Sequence, residues 1–247
     1  MNNILRDKFF NRVVENFDVM STVVIKQMEY VKQLLNDGKE LDADKEQGIY
    51  REIYNNELIL DSLDVKLRRE VINAIVLYSP RATDLRQMMS NYDMVGYVER
   101  VGDLVLNIAH FLSDMNKESD ICRHYRPDIV KLVDIAANMV KRSILSFNYE
   151  DNAMARDIIN DDDKVDDLYK IIGNSIRSDY GGQSLSNEQI IDLLGVSGIS
   201  YNLERIGDNA TNMAEAAIYF AEGKDVKHSK LKKEEEEHKK EEGNAAI

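Results

Sequence analysis

The chain has 247 residues, 43% hydrophobic and 31% charged, with a formal net charge of −13. A packed core is therefore feasible, whereas general nucleic-acid binding, which relies on basic faces, is not expected. Only 2 Pro and 12 Gly favour long helices over a turn-rich fold, and the lone Cys122 excludes an intramolecular disulfide and a cysteine-based zinc motif.

The N-terminal MNNILRDKFF lacks the apolar core and cleavage site of a signal peptide, and no stretch is apolar for the length of a membrane span. A cytoplasmic protein is expected. A first helix is predicted over residues 5–35, where Phe10, Val13, Phe17, Met20, Val24, Met28, Val31 and Leu35 recur at steps of three and four. Asn36, Asp37 and Gly38 close it, with Gly38 suited to the left-handed conformation. A second helix follows over 43–78 on the stripe Ile49, Ile53, Leu60, Leu63, Leu67, Val71 and Ala74, with Glu57 in the gap where an apolar residue would be expected. Ser79-Pro80 ends it, because the residue before proline is pushed out of helical angles.

A third helix begins after Pro80 on the stripe Leu85, Met88, Tyr92, Val95, Gly102, Leu106 and Ala109, shared by Glu99 and Asp103. Residues 114–126 read as a polar linker that stops at Pro127. The second half repeats the plan. A fourth helix is predicted over 128–147, with Ile129, Leu132, Ala136, Met139, Ser143 and Phe147 inward. A fifth covers 152–179 with Ala155, Ile158, Val165, Tyr169, Ile172 and Ile176, and Asp162 sits in its gap. Gly181-Gly182 breaks the chain, and Asn187 is the expected N-cap of a sixth helix reaching 221. Its expected stripe is Ile190, Leu194, Ser197, Tyr201, Gly207, Thr211, Ala214 and Ile218, with Glu204 and Asp208 on the same side. The expected fold is all-α: two tandem three-helix bundles, 1–120 and 121–223, followed by a Lys/Glu tail over 224–247 read as a solvated helix or disorder.

One phrase is said twice. ERVGDLVLNIA over 99–109 returns as ERIGDNATNMA over 204–214, an offset of 105 residues. At the same offset Glu57 and Asp61 map onto Asp162 and Asp166. Residues four apart share a helix face, so Glu57/Asp61 and Glu99/Asp103 bring carboxylates from two neighbouring helices together, and Asp162/Asp166 and Glu204/Asp208 repeat this. Two carboxylates about 4 Å apart repel by roughly 4 kcal/mol at an effective dielectric near 20. Such a cluster needs protons, arginines or a cation, and oxygen-only ligands suit hard metals such as Mg, Ca, Mn or ferric iron.

The mid-helix Gly102 and Gly207 leave the helix face open beside the acids. The bland reading is a set of solvated acidic faces, with Arg100 and Arg205 pairing locally and Asn107 and Asn212 either as side ligands or hydrogen-bonding between helices. No Glu-x-x-His pair falls on a core helix, and no phosphate loop or nucleophile elbow appears. His110 is expected to be partly buried between helices, and Cys122 buried and inert.

The doubled phrase, with SPRATDLRQMM before its first copy and FAEGKDVKH after its second, resembles the PhoU family of phosphate-signalling regulators over nearly the whole chain to about residue 228. The resemblance implies two three-helix bundles, usually dimerising, and a Glu/Asp-x-x-x-Asp metal motif. That motif falls on Glu57, Asp61, Glu99 and Asp103 in one bundle and on Asp162, Asp166, Glu204 and Asp208 in the other. Iron, zinc, manganese or magnesium are the cations it suggests. Glu57 stands where the family often has aspartate. The implied role is a non-enzymatic negative regulator of phosphate uptake that connects the ATPase of the phosphate ABC transporter to a sensor histidine kinase. A carboxylate-bridged metal-dependent enzyme and a metal-free helical oligomerisation module are the alternatives.

Overall fold

The computed structural model describes residues 2–36 and 42–227, with side chains in the first helix from residue 9 to 35. The Gly38 turn and the tail beyond 227, with His228 and His238, lie outside the described residues. Six helices follow one another: α1 (Asn2–Asn36), α2 (Ala43–Tyr78), α3 (Thr83–Asp114), α4 (Asp120–Asn148), α5 (Asn152–Tyr180) and α6 (Asn187–Glu222). No strand occurs among the described residues. No helix there is long and apolar enough to cross a membrane.

Each helix is held by the side chains that its sequence supplies. Asp42, Ser119, Asp151 and Ser186 cap α2, α4, α5 and α6, each accepting a hydrogen bond from a backbone N–H of the first turn. The α6 cap is a full capping box closed by Gln189, so Ser186 rather than Asn187 holds the cap position. The turn between α2 and α3 is tight: Ser79 takes the left-handed conformation at φ 45° and its N–H reaches back to the Ile75 carbonyl. That brevity makes α2 and α3 antiparallel neighbours.

The expected linker is largely helix. The cap at Ser119 starts α4 at Asp120, and Pro127 lies inside it. A mid-helix proline costs a hydrogen bond and a clash, of order 3 kcal/mol. Burial of Ile121, Cys122, Tyr125 and Ile129 around it offsets that cost. Cys122 is indeed buried, and burial raises its thiol pKa.

α1, α2 and α3 form one bundle and α4, α5 and α6 the other. They meet through α3 against α6 and α1 against α4. The join is tight: a Cβ on Gly198 would run into the Phe111 ring, and one on Gly195 would lie 3.1 Å from Met115 Sδ. Phe17 of α1, Phe147 of α4 and Phe220 of α6 stack in a chain with ring centroids 5.7 and 5.5 Å apart. A single apolar core therefore runs through both bundles.

α6 corrects the expected stripe. Ile190, Leu194 and Tyr201 are exposed, and Leu193, Val196, Ile199 and Leu203 are buried instead. The first half of α6 packs on both its own bundle and α3, so its buried face is rotated from the one a lone bundle would select.

Candidate functional site

α2 and α3 run side by side, and the seam between them gathers the acids of the first bundle. Glu57 is the deepest, only 5% exposed. Glu99 and Asp103 are half-buried and Asp61 is exposed at the edge. Burial pushes the Glu57 carboxyl up to about 8, with the charges of Asp103 and Asp61 adding to it and a hydrogen bond from Gln27 opposing. Burial, then Asp103, Asp64 and Asp61, also raises Glu99. The four acids predicted from the repeat therefore share one field, as the sequence implied. Their placement is graded rather than uniformly inward.

The floor of this seam was not visible in the repeat. Gln27 comes from α1, fully buried, and its Nε2 donates to the Ile53 carbonyl at 3.2 Å and to Glu57 Oε2 at 3.5 Å. Gln27 Oε1 and Glu57 Oε1 have no hydrogen-bond partner. A Cβ on Gly102 would stand 2.7 Å from Glu57 Oε2 and 3.3 Å from Gln27 Oε1. So the doubled glycine has a physical reason here: it leaves the space into which a buried carboxyl and amide point. Gln27 sits in an otherwise apolar stripe, and that break was the available signal.

One end of the seam is closed by Arg68. Its guanidinium donates to Asp64 Oδ1 at 2.6 Å, stacks 4.6 Å from the Tyr92 ring centroid and occupies the space above Gly96. Arg100 pairs with Asp103 at 3.0 Å, as the bland reading allowed. Toward the other end the groove widens into an open cavity of about 860 Å³ lined by Tyr50, Tyr54, His110 and Lys117. His110 is exposed there rather than buried between helices. None of the four seam acids lines that cavity.

The second bundle repeats the seam with different depth. Asp162, Asp166 and Glu204 are half-buried and Asp208 is exposed. Burial pushes Glu204 up to about 7, helped by Asp208, Asp166 and Asp162, and opposed by Arg205. Burial and Asp166 raise Asp208. Asp166 pairs with Lys170 at 3.4 Å. Arg205 donates to the Tyr201 hydroxyl at 3.0 Å. The atoms nearest a Cβ on Gly207 would be those of Val165, the first at 3.1 Å. Asn107 meets Asn202 across the α3–α6 join at 3.5 Å.

Among the described residues no three His, Cys, Asp or Glu side chains stand close enough to hold a metal ion in their present conformations. Glu57, Asp61, Glu99, Glu204 and Asp208 form no ion pair with a described residue. The chemistry on offer is a set of acid oxygens held at two helix seams, with Asp103 and Asp166 balanced by Arg100 and Lys170.

Comparison with known proteins gives a consistent result. The PhoU domain model matches twice, over residues 20–112 and 129–217. A phosphate-specific transport system accessory protein PhoU homolog of Aquifex aeolicus is 32% identical over 86% of this chain and 94% of its own length. One of Clostridium acetobutylicum is 30% identical over 74% of this chain and 81% of its own length. The crystal structure of PhoU from Pseudomonas aeruginosa superposes with a TM-score of 0.74 at 21% identity, covering 88% of this chain and 99% of that one. The phosphate transport system regulatory protein PhoU from Streptococcus pneumoniae does so with a TM-score of 0.73 at 18% identity, with the same coverage of 88% and 99%.

Proposed function

This chain belongs to the PhoU family, and from that premise we propose that it is an accessory regulator of phosphate transport. Its role is to restrain phosphate uptake and starvation signalling by holding the transporter ATPase and a sensor histidine kinase in one assembly. It acts as a scaffold and not as a catalyst. Support comes from the relatives' names and from a chain whose distinctive groups are paired acids.

The same reading assigns a cation to each seam. Glu57, Asp61, Glu99 and Asp103 would hold one, and Asp162, Asp166, Glu204 and Asp208 the other. The observation that carries this is the pair of orphaned buried oxygens, Glu57 Oε1 and Gln27 Oε1, beside the space left by Gly102. Buried polar atoms without partners cost about 1–3 kcal/mol each, so they mark a group to be satisfied. Oxygen-only donors select hard cations, with iron, manganese and magnesium ahead of zinc. Such an ion supplies positive charge that removes the mutual repulsion of the acids. The chain's own residues do the rest. Glu57 holds a proton at neutral pH until it is displaced, Gln27 fixes the carboxyl from below, and Arg68 closes the seam end. The outer faces of the bundles are then kept in a fixed register for partners.

The metal-free alternative has its own support in the Arg100–Asp103 and Lys170–Asp166 pairs, which balance part of each seam internally. The regulatory reading is tested by co-purification from cells grown at high and low phosphate. Recovery of the phosphate transporter ATPase with the full chain in the high-phosphate sample supports it. Failure to recover transporter or kinase in either condition overturns it.

A further inference from the structure

The join of α3 against α6 has two ends, and the repeat makes them comparable. α3 and α6 carry the two copies of one phrase, so each contact across the join has a counterpart at the offset of 105 residues. At one end Asn107 meets Asn202, and the Phe111 ring lies where a Cβ on Gly198 would be. The counterparts at the other end are Asn212 with Tyr97 and Ala216 with Asp93. A phenylalanine has become an alanine and a glycine an aspartate. In place of the packed contact there is a cavity of about 320 Å³, at the small end of the range for small-molecule sites. Glu215 and Tyr219 of α6 and the segment after α6, through Asp225 and Lys227, complete its wall.

The chain itself shows which chemistry this cavity accepts, because the Lys227 ammonium sits in it. Lys227 Nζ donates to the Tyr97 hydroxyl at 3.3 Å and lies 6.0 Å from the centroid of that ring. The charges of Glu215 and Asp93 favour it there. An ammonium beside a tyrosine ring and carboxylates is held by two independent attractions. Lys227 does not balance the wall: Asp93, Glu215 and Asp225 bring three negative charges and Lys227 one positive, which leaves two uncompensated. Arg68 also acts on Asp93, but its guanidinium is bonded to Asp64.

We propose that the cavity binds a short linear diamine, whose two ammonium groups answer the two charges that Lys227 leaves over. The lysine side chain is a butylamine arm, and 1,4-diaminobutane is that arm with a second ammonium. Its methylenes lie against Ala216, and the rings of Tyr97 and Tyr219 flank its charged ends. A hydrated magnesium ion carries the same charge but gives up its water reluctantly, so it gains little from rings and a methyl wall. The site faces the α3–α6 join and depends on no cation at either seam.

The test is isothermal titration of the metal-stripped full chain with 1,4-diaminobutane at fixed ionic strength. The expected result is saturable uptake of one diamine per chain, about tenfold tighter than butylamine and undisturbed by magnesium. A216F restores the ring that closes the other end of the join and, with unchanged helical circular dichroism, abolishes uptake. D93N removes one charge without filling the space and weakens uptake about tenfold, which decides the matter if A216F does not fold. K227Q, with three carboxylates and no ammonium, binds the triamine spermidine more tightly than the diamine. No uptake, uptake undiminished by A216F or D93N, equal binding of butylamine, displacement of the diamine by magnesium, or loss of all amine binding in K227Q would each overturn the proposal.

Discussion

In the first bundle the seam glutamate, Glu57, is 5% exposed and reaches over Gly102 to a buried glutamine from α1. In the second, its counterpart Asp162 is one methylene shorter and half-buried, and the glycine opposite has Val165 as its nearest neighbour. The same phrase thus yields two sites of different depth, because depth is set by what lies beneath the phrase. The strain of burying negative charge falls on different groups: on Glu57, pushed up to about 8, in the first seam, and on Glu204, pushed up to about 7, in the second. The seam ends differ as well. Arg68 fills the space over Gly96 in the first bundle, whereas the equivalent positions in the second are Gly173 and Tyr201. A Cβ on Gly173 would have no heavy atom within 4 Å, so nothing fills the second seam there as Arg68 fills the first.

The sharpest way to break this comparison is to fill the two glycines. G102A drives a methyl into Leu60 and the Glu57–Gln27 pair and is expected to cost about 2–3 kcal/mol by overpacking. G207A meets Val165 first, at 3.1 Å, and its effect stays within about 1 kcal/mol because helix propensity compensates. Denaturant midpoints of the two variants measure the difference; equal losses would mean that the seams are equally deep.

A second separation is by pH, in protein stripped of metal. A carboxyl whose folded pKa is raised contributes stability that is full below its ordinary value near 4.5 and is lost as pH rises to the folded value. The Glu57 contribution should therefore decline up to about pH 8, and that of Glu204 should be exhausted by about pH 7. E57Q is expected to remove the decline between pH 7 and 8 and to make it shallower below 7, where the Glu204 share remains. A profile that E57Q leaves unchanged would show that Glu57 is not the deeper acid.

The smallest expected effect is at the seam end. R68A loses the stacking on Tyr92 and the partly buried pair with Asp64, a cost of about 1 kcal/mol. R205A, whose guanidinium is more exposed, should cost less. Thermal melts of the two variants give the order.

Much of this was legible in the residues. The offset of 105 residues located both seams and all eight acids, because a repeated motif keeps its helical register. The α2 boundaries followed from its apolar period and from Ser79-Pro80. What sequence could not give was the third element. Gln27 belongs to α1, which lies outside the repeated phrase, and only packing brings it under Gly102. The inner face of α6 was misread for the same reason: α3 of the other bundle competes for it. Pro127 misplaced the start of α4, since local propensity yielded to burial of the residues on either side.

The central claim, that the paired acids exist to hold a cation, is tested most directly by titrating metal-stripped protein with manganous or ferrous ion in a calorimeter and following the melting temperature. The account predicts saturable uptake and a raised melting temperature, with D103N removing one part of the uptake and D208N the other. No uptake, with a melting temperature that neither chelator nor metal shifts, would contradict it.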